Sequence, residues 1–535
     1  MGNKVSNANN VIKNAKNNIK NANNKNNVKN NVKNNAKLYI FPIMLVVALS
    51  VFIQFVPRIA YANPNFPITE RDRAYIYKLD SDGLSAVPIP DPYQYKREVK
   101  LLCPDGTYAT NPVDMFVAGN RHVYILDSDK GRILVYDGNL NSTRIIEKFY
   151  LNGQESPLNK PEGIFVSGDG LLYIADTGNK RIIKADMQGN ILLVIEKPQD
   201  VVAATVDSFL PVKLVVDGIG RISVVARNIN MGIMQFDSNG NFMGYTGAPR
   251  VRLTAMDRFW RMISTRAQRE QMAQFVPTEY NNLKIDDKGF LWGTISSLSA
   301  EEINDAISGN ESVSPIKKIN SAGKDVLKKK GAFPPVGDII FLKNPSKIID
   351  VALGPGKIYS LLDSSEGKIF TYNDEGNLLY VFGRIGNNKG NFERPIAIDY
   401  LEDRILVLDN ALSSIMVFEP TVYGRTILDA IQAYIDGNYS IAYSKWSEVA
   451  AMNTNFQYAF IGLGKAKMDE GQYEQALHYF EYAGYREGYS QAKEMLRKER
   501  LQEVFPFIFF TIAGLLLYVF IKVTVRKLKL YIDRI

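Results

Sequence analysis

The chain is 535 residues long and 46% hydrophobic, which supplies apolar side chains for two or more cores and excludes a disordered protein. Its formal charge of +8 sits in the leader: residues 1–62 carry eight lysines, Arg58 and no acid, which leaves −1 for everything after them. A body of that balance offers no basic surface for a phosphate backbone, so nucleic acid is set aside as a partner.

Residues 1–37 are an Asn- and Lys-rich tract that cannot bury enough surface to fold alone. An apolar run over 38–56 follows, broken by Pro57 and ending near Ala60, Tyr61 and Ala62. A basic leader, an apolar segment and a small-x-small site describe a secretory signal cut after Ala62. The same run of about 19 residues is also long enough for an uncleaved anchor. Both readings send the body out of the cytoplasm. Residues 63–95 read as an extended linker. Cys103 is the only cysteine, so the body has no internal disulfide and depends on its hydrophobic core.

From residue 96 to 420 one strand-turn-strand phrase recurs six times. Its opening prolines are Pro112, Pro161, Pro211, Pro277, Pro345 and Pro395, spaced by 49, 50, 66, 68 and 50 residues. A period of that size made of short β-rich runs marks a β-propeller. The phrase from Tyr173 to Ile182, with Asp176, Thr177, Gly178 and Asn179 at its centre, resembles the NHL repeat. The chain as a whole resembles bacterial membrane-anchored NHL-repeat proteins with a tetratricopeptide tail, over most of residues 75–503. That resemblance implies a mainly β, six-bladed propeller followed by an α-helical hairpin stack and a C-terminal transmembrane helix.

Unit five reads as four strands, 348–353, 357–362, 368–373 and 378–382. Unit six supplies only 396–400, 404–409 and 414–419 before Pro420 stops it. An unpaired sheet edge is costly, so residues 96–102 are expected to donate the missing strand and close the ring. Asp127, Asp176, Asp363 and Asp409 recur at the end of the second strand, where a short carboxylate accepts backbone N–H groups across a turn. Ala226 and Thr294 replace them in units three and four. The inner strands begin around Asp114, Glu162, Lys213, Asn281 and Asn282, Lys347 and Ile396, and Asp114, Glu162, Lys213, Asn281 and Lys347 are the channel candidates. A divalent cation such as Ca²⁺ would need several oxygen ligands there, and the lysines oppose it. The two histidines, His122 and His478, supply zinc chemistry poorly.

Two insertions interrupt the pattern. Residues 250–275 place Leu253, Met256, Trp260, Ile263 and Ala267 at helical spacing, with Arg258, Phe259 and Arg261 as exposed binding candidates. Trp292 joins them as a candidate for stacking against carbohydrate. Residues 296–315 are polar and acidic and read as a solvated loop.

A 34-residue period follows over 427–503: Gly437, Tyr439, Ala442 and Trp446 recur as Gly471, Tyr473, Ala476 and Phe480. With Leu463, Gly464 and Ala483, these match the tetratricopeptide alternation of small and large residues, which implies protein binding or a rigid spacer. The apolar run 504–521 has no charge and is followed by Lys522, Arg526, Lys527 and Lys529, so the tail 522–535 is expected to lie in the cytoplasm.

The expected role is a membrane-anchored, extracytoplasmic scaffold with a protein partner in the cell envelope, such as a transporter complex. A carbohydrate-binding module and a metal-dependent lactonase or esterase are the alternatives, and no catalytic set or cofactor is assigned.

Overall fold

A computed structural model describes residues 73–80, 83–198, 209–227, 229, 231–247, 279–296, 298, 314–329, 337–338 and 345–532. The insertion 250–275, with Arg258, Phe259, Trp260 and Arg261, lies outside the described residues, as do most of 296–315, all of 1–72 and the last three residues of the tail.

Six antiparallel sheets form the propeller. Blade one is Pro112–Val117, Val123–Asp127, Arg132–Tyr136 and Ser142–Ile146; blade two is Gly163–Val166, Leu172–Asp176, Arg181–Ala185 and Ile191–Ile195. Blade three is Pro211–Val216, Ile222–Ala226, Ile233–Phe236 and Phe242–Thr246. Blade four has three strands among the described residues, Asn282–Ile285, Leu291–Thr294 and Ile316–Ile319. Blade five comprises Ile348–Leu353, Tyr359–Asp363, Ile369–Tyr372 and Leu378–Phe382. Blade six comprises Pro395–Leu401, Arg404–Asp409, Ser414–Pro420 and, from the other end of the domain, Tyr93–Lys100. The inner strands touch in cyclic order from blade one to six and back to one, so the ring is closed.

The closing strand starts and ends slightly earlier than 96–102. Its register runs from Ser414 opposite Lys100 to Pro420 opposite Tyr93. The segment before it is not a plain linker. Tyr75–Asp80 and Gly83–Pro88 form a hairpin joined to the outer edge of blade five where Tyr75 pairs with Val381.

Local sequence explains why the blades repeat. Between third and fourth strands Asp137, Asp186 and Asp237 each accept backbone N–H bonds from two and four residues ahead through one carboxylate oxygen. Asn320 and Asn373 do the same in blades four and five. The fourth residue of each turn needs positive φ, met by Gly189, Gly240, Gly323 and Gly376 but by Leu140 in blade one.

At the opposite end of the blades the second-strand aspartates hold the entry to the inner strand. Asp127 accepts from the Asn111 and Thr110 amides at 3.0 and 3.2 Å, and Asp176 from Asn159 at 2.8 Å. Asp363 accepts from Lys347 and Asp409 from Glu393, both at 2.7 Å. Arg132 and Arg181 donate side-chain Nε to Asp127 and Asp176. In blade four the strand register puts Ile295, one residue beyond Thr294, at this place, so the blade does without the device.

Five helices follow: α1 (Val422–Ile435), α2 (Tyr439–Met452), α3 (Gln457–Asp469), α4 (Tyr473–Tyr482) and α5 (Arg486–Ile532). Helix α1 begins directly after blade six, before the expected 427, with the Thr421 hydroxyl accepting from the Gly424 amide at 3.2 Å. Consecutive helices pack as hairpins. Gly437 and Gly471, 34 residues apart, both turn the chain at positive φ. Ala442, Trp446, Ala476 and Phe480 are buried. A Cβ on Gly462 or Gly464 would stand 2.5 Å from the rings of Trp446 or Phe480, so both sites need glycine for the helices to approach.

The helices do not form a detached stalk. One hydrophobic cluster contains Ile358, Leu379, Tyr380, Ile398 and Phe418 of blades five and six together with Tyr423, Ile427, Ile431, Trp446 and Leu463 of the helices. The blade-five turn adds two polar links, Asn373 to the Tyr458 hydroxyl and Glu375 to the Lys465 ammonium. Helix α5 is one continuous element of 47 residues, and it alone among the described helices is long and apolar enough to cross a membrane.

A core shared by both modules predicts joint unfolding. Ile427→Ala, at a fully buried position, is expected to cost about 2–5 kcal/mol. Far-UV signal from the helices and the 19F resonance of 5-fluorotryptophan at Trp292 in the propeller, resolved from those of Trp260 and Trp446, should shift to lower temperature together; two separate transitions would contradict the shared core.

Candidate functional site

The centre of the ring is built from one register of the inner strands, occupied in turn by Asp114, Gly163, Lys213, Asn282, Asp350 and Ala397. Two residues further along, Lys284 of blade four and Asp399 of blade six add a second level. Asp114, Lys213, Asn282, Lys284 and Asp350 are all buried.

Burying charges this deeply requires partners, and each one has them. Lys213 of blade three reaches Asp114 of blade one in a direct ion pair. The other Asp114 oxygen accepts the Ile164 amide of blade two at 2.8 Å. Asp350 accepts from the Ile398 amide of blade six, the Val351 amide and Asn282 Nδ2, all at 2.8 Å. Lys284 donates to Asp399 at 2.7 Å, and its ammonium also stands 5.7 Å from the ring centre of Phe116 in blade one, on the opposite side of the ring. Two lysines and three aspartates therefore tie blades one to six across the axis. Gly163 belongs to the same design, because a Cβ there would lie 2.5 Å from the carbonyl of Val212 in the next blade.

The expected channel set is divided by this geometry. Asp114 and Lys213 meet. Glu162 instead lies at the mouth, paired with Arg227 at 2.6 Å, and burial pushes its carboxyl up against the pull of that arginine. Asn281 donates to the Ile349 carbonyl at 2.9 Å, and Lys347 is exposed. Glu162, Asn281 and Asp350 do not converge. Among the described residues no three His, Cys, Asp or Glu side chains gather as metal ligands. The central carboxylates already accept N–H groups, and lysine ammoniums occupy the places next to them, so this donor set does not fit Ca²⁺ or another divalent cation.

Trp292 is a correction to the expected carbohydrate platform. It is buried between blades four and five, its ring 4.9 Å from that of Tyr359, with Nε1 donating to Asp286 at 3.2 Å and the Lys318 ammonium 4.7 Å from its ring centre. An indole this size fills the gap between blades and satisfies its one donor. Lys284 and Asp399 were not singled out by sequence reasoning; the two-residue alternation from Asn282 and Ala397 along each inner strand is the signal that marks them.

The two ends of the ring differ. Every inner strand starts at the end held by the second-strand aspartates, and the interblade connections arrive there. Helix α1 packs at the other end, where a Cβ on Gly356 would lie 3.1 Å from Ile431 and where Arg425 pairs with Asp403.

Comparison with solved structures returns propellers. A streptogramin B lyase matches at a TM-score of 0.35 and 13% identity, covering 65% of this chain and 87% of that one. Virginiamycin B lyase from Staphylococcus aureus matches at 0.37 and 11%, covering 61% and 100%, and a candidate gluconolactonase at 0.35 and 11%, covering 62% and 94%. No family model matches the chain, and no curated protein matches it.

Two outcomes test the central network. Lys213→Met leaves the buried Asp114 carboxylate without its cation and is expected to destabilise by about 3–5 kcal/mol in chemical denaturation. Asp350 is pushed up to about 6, by burial first, against the pull of Lys284 and Lys213. A raised acid favours the fold while protonated and loses that contribution as pH rises from about 4 through 6. The stability difference between Asp350→Asn and the parent should therefore move towards the variant by about 1–3 kcal/mol from pH 4.5 to 7. A pH-independent difference would place the ionisation elsewhere.

Proposed function

We propose that the chain is a membrane-anchored recognition scaffold of the NHL-propeller and tetratricopeptide type, holding its propeller outside the cell and its basic C-terminal tail in the cytoplasm. The observation that carries this reading is the continuity from blades five and six through one hydrophobic core into α5, which fixes the propeller to the helix that is apolar enough to span a bilayer. The central carboxylates and lysines are consumed in bonds between blades, which favours binding at the surface over chemistry in the channel. The end of the ring opposite α1, with the polar mouth around Glu162, Arg227 and Lys347, is the face proposed for a protein partner of the cell envelope, with a transporter complex among the candidates. The basic residues after the apolar run support the cytoplasmic placement of the tail.

Photo-crosslinking in native membranes tests this arrangement. A photoreactive residue at Lys347, exposed at the mouth among the described residues, is expected to yield one reproducible protein adduct, while the same residue at Ile441 on α2 reports whether the helical stack contributes. Failure of both positions to give any adduct would overturn the scaffold reading.

A further inference from the structure

Helix α5 carries a second feature above its apolar run. Tyr489, Lys493, Arg497 and Arg500 follow the i, i+4, i+8 and i+11 spacing that keeps them on one side of the helix, and that side faces α4. With Leu477 of α4 and Leu496 they line an open groove of about 630 Å³. The groove is cationic. Its acid, Glu494, is engaged at 2.7 Å by Lys498, which holds that carboxyl below its ordinary range. Arg500 meets Glu474 of α4, but both side chains of that pair are well over half exposed, so the pair contributes little and is open to exchange. Lys493 lies 5.7 Å from the Tyr489 ring, a contact that leaves its charge available.

Position decides what such a groove meets. The helix runs without a break from the groove into the apolar run that begins at Val504. At the α-helical rise Arg500 stands about 6 Å and Arg497 about 10 Å above Val504 along the axis, against a headgroup layer roughly 5–8 Å deep on each side of the hydrocarbon. Arg500 is at headgroup depth and Arg497 just above it, within reach of its long side chain, whereas Lys493 lies about two Debye lengths from the apolar boundary, where its field is largely screened. Arginine presents a planar fork suited to phosphate oxygens, and the Leu477, Tyr489 and Leu496 side chains form an apolar wall beside it.

We propose that the α4–α5 groove is a binding site for the phosphate-bearing headgroup of an anionic phospholipid from the leaflet that α5 enters. The inference rests on the membrane-spanning reading of α5. The lipid would clamp α4 against α5 at the bilayer surface, substituting its phosphate for Glu474 on Arg500.

The test uses the full-length chain in nanodiscs of phosphatidylcholine containing a trace of acyl-chain spin-labelled phosphatidylglycerol or, in parallel, spin-labelled phosphatidylcholine. Resistance of the protein to carbonate extraction is checked first, because extraction would sink the spanning reading independently of the groove. The motionally restricted fraction is expected to be at least threefold larger for phosphatidylglycerol than for phosphatidylcholine. Measured in a background with Lys522, Arg526, Lys527 and Lys529 changed to Gln, so that the basic tail does not itself retain phosphatidylglycerol, that preference should disappear in Arg497→Gln combined with Arg500→Gln, and persist in Arg486→Gln, whose side chain lies outside the groove lining. An equal fraction for both lipids in a carbonate-resistant protein, or an unchanged preference in the double variant, would overturn the proposal. Loss of the preference on adding millimolar inorganic phosphate would assign the groove to a soluble anion instead.

Discussion

The pairing of Tyr93–Lys100 with Ser414–Pro420 is the constraint on which the remaining architecture depends. It joins residues more than 300 positions apart, so the ring closes only after nearly all of the propeller has been made. The same place roots the helices. Pro92 accepts the Thr421 amide at 3.0 Å, and a Cβ on Gly424 would lie 1.9 Å from the Pro92 carbonyl. The strand that completes blade six and the first turn of α1 are thus locked against each other. A ring sealed by its own N-terminal strand gives blade six the four strands of its neighbours, and α1 begins immediately after the strand that pairs with it.

Polar chemistry inside the ring serves the same end. A propeller axis is a place where inner strands converge and where carboxylates are easily taken for ligands. Here Asp114 and Asp350 each reach forward to a backbone amide of the next blade, Ile164 and Ile398, while Lys213 and Lys284 cross towards carboxylates two blades away. Charges left in a low-dielectric interior are tolerable because every one of them is bonded. The central groups are thereby engaged between blades, and the binding proposed for the molecule falls to its outer surfaces, the mouth around Glu162, Arg227 and Lys347 and the flank of the helices.

Much of the β architecture was legible in the sequence because each blade repeats its own local instructions. The prolines set the phase, the second-strand aspartates mark the strand ends, and Pro420 shows where a strand is missing. Other features had no such local mark. The hairpin Tyr75–Pro88 carries a turn signal at Ser81, Asp82 and Gly83 but falls outside the repeat, so it reads as linker. The fusion of α1 to blades five and six is invisible because the apolar face of Ile427 and Ile431 announces burial without naming what buries it. Trp292 shows the same ambiguity from the other side: an aromatic suited to stacking on a ligand is equally suited to filling a gap between blades. Asp114 and Lys213 were identifiable as channel residues, yet their mutual pairing depends on the curvature of the ring, which no spacing along the chain reveals.

Helix α5 has a mechanical meaning when considered as a support. A flexible tether would let the propeller sweep a wide volume and meet partners of any height. The 18 helical residues that precede Val504 span about 27 Å instead, and α4 packs along them as far as Arg500, which meets Glu474, so the stack is rigidly joined to the helix over most of that length. On the spanning reading proposed above, such a support would fix the height and tilt of the propeller, so that membrane-embedded neighbours would be selected by how far they protrude as well as by the chemistry of their surfaces.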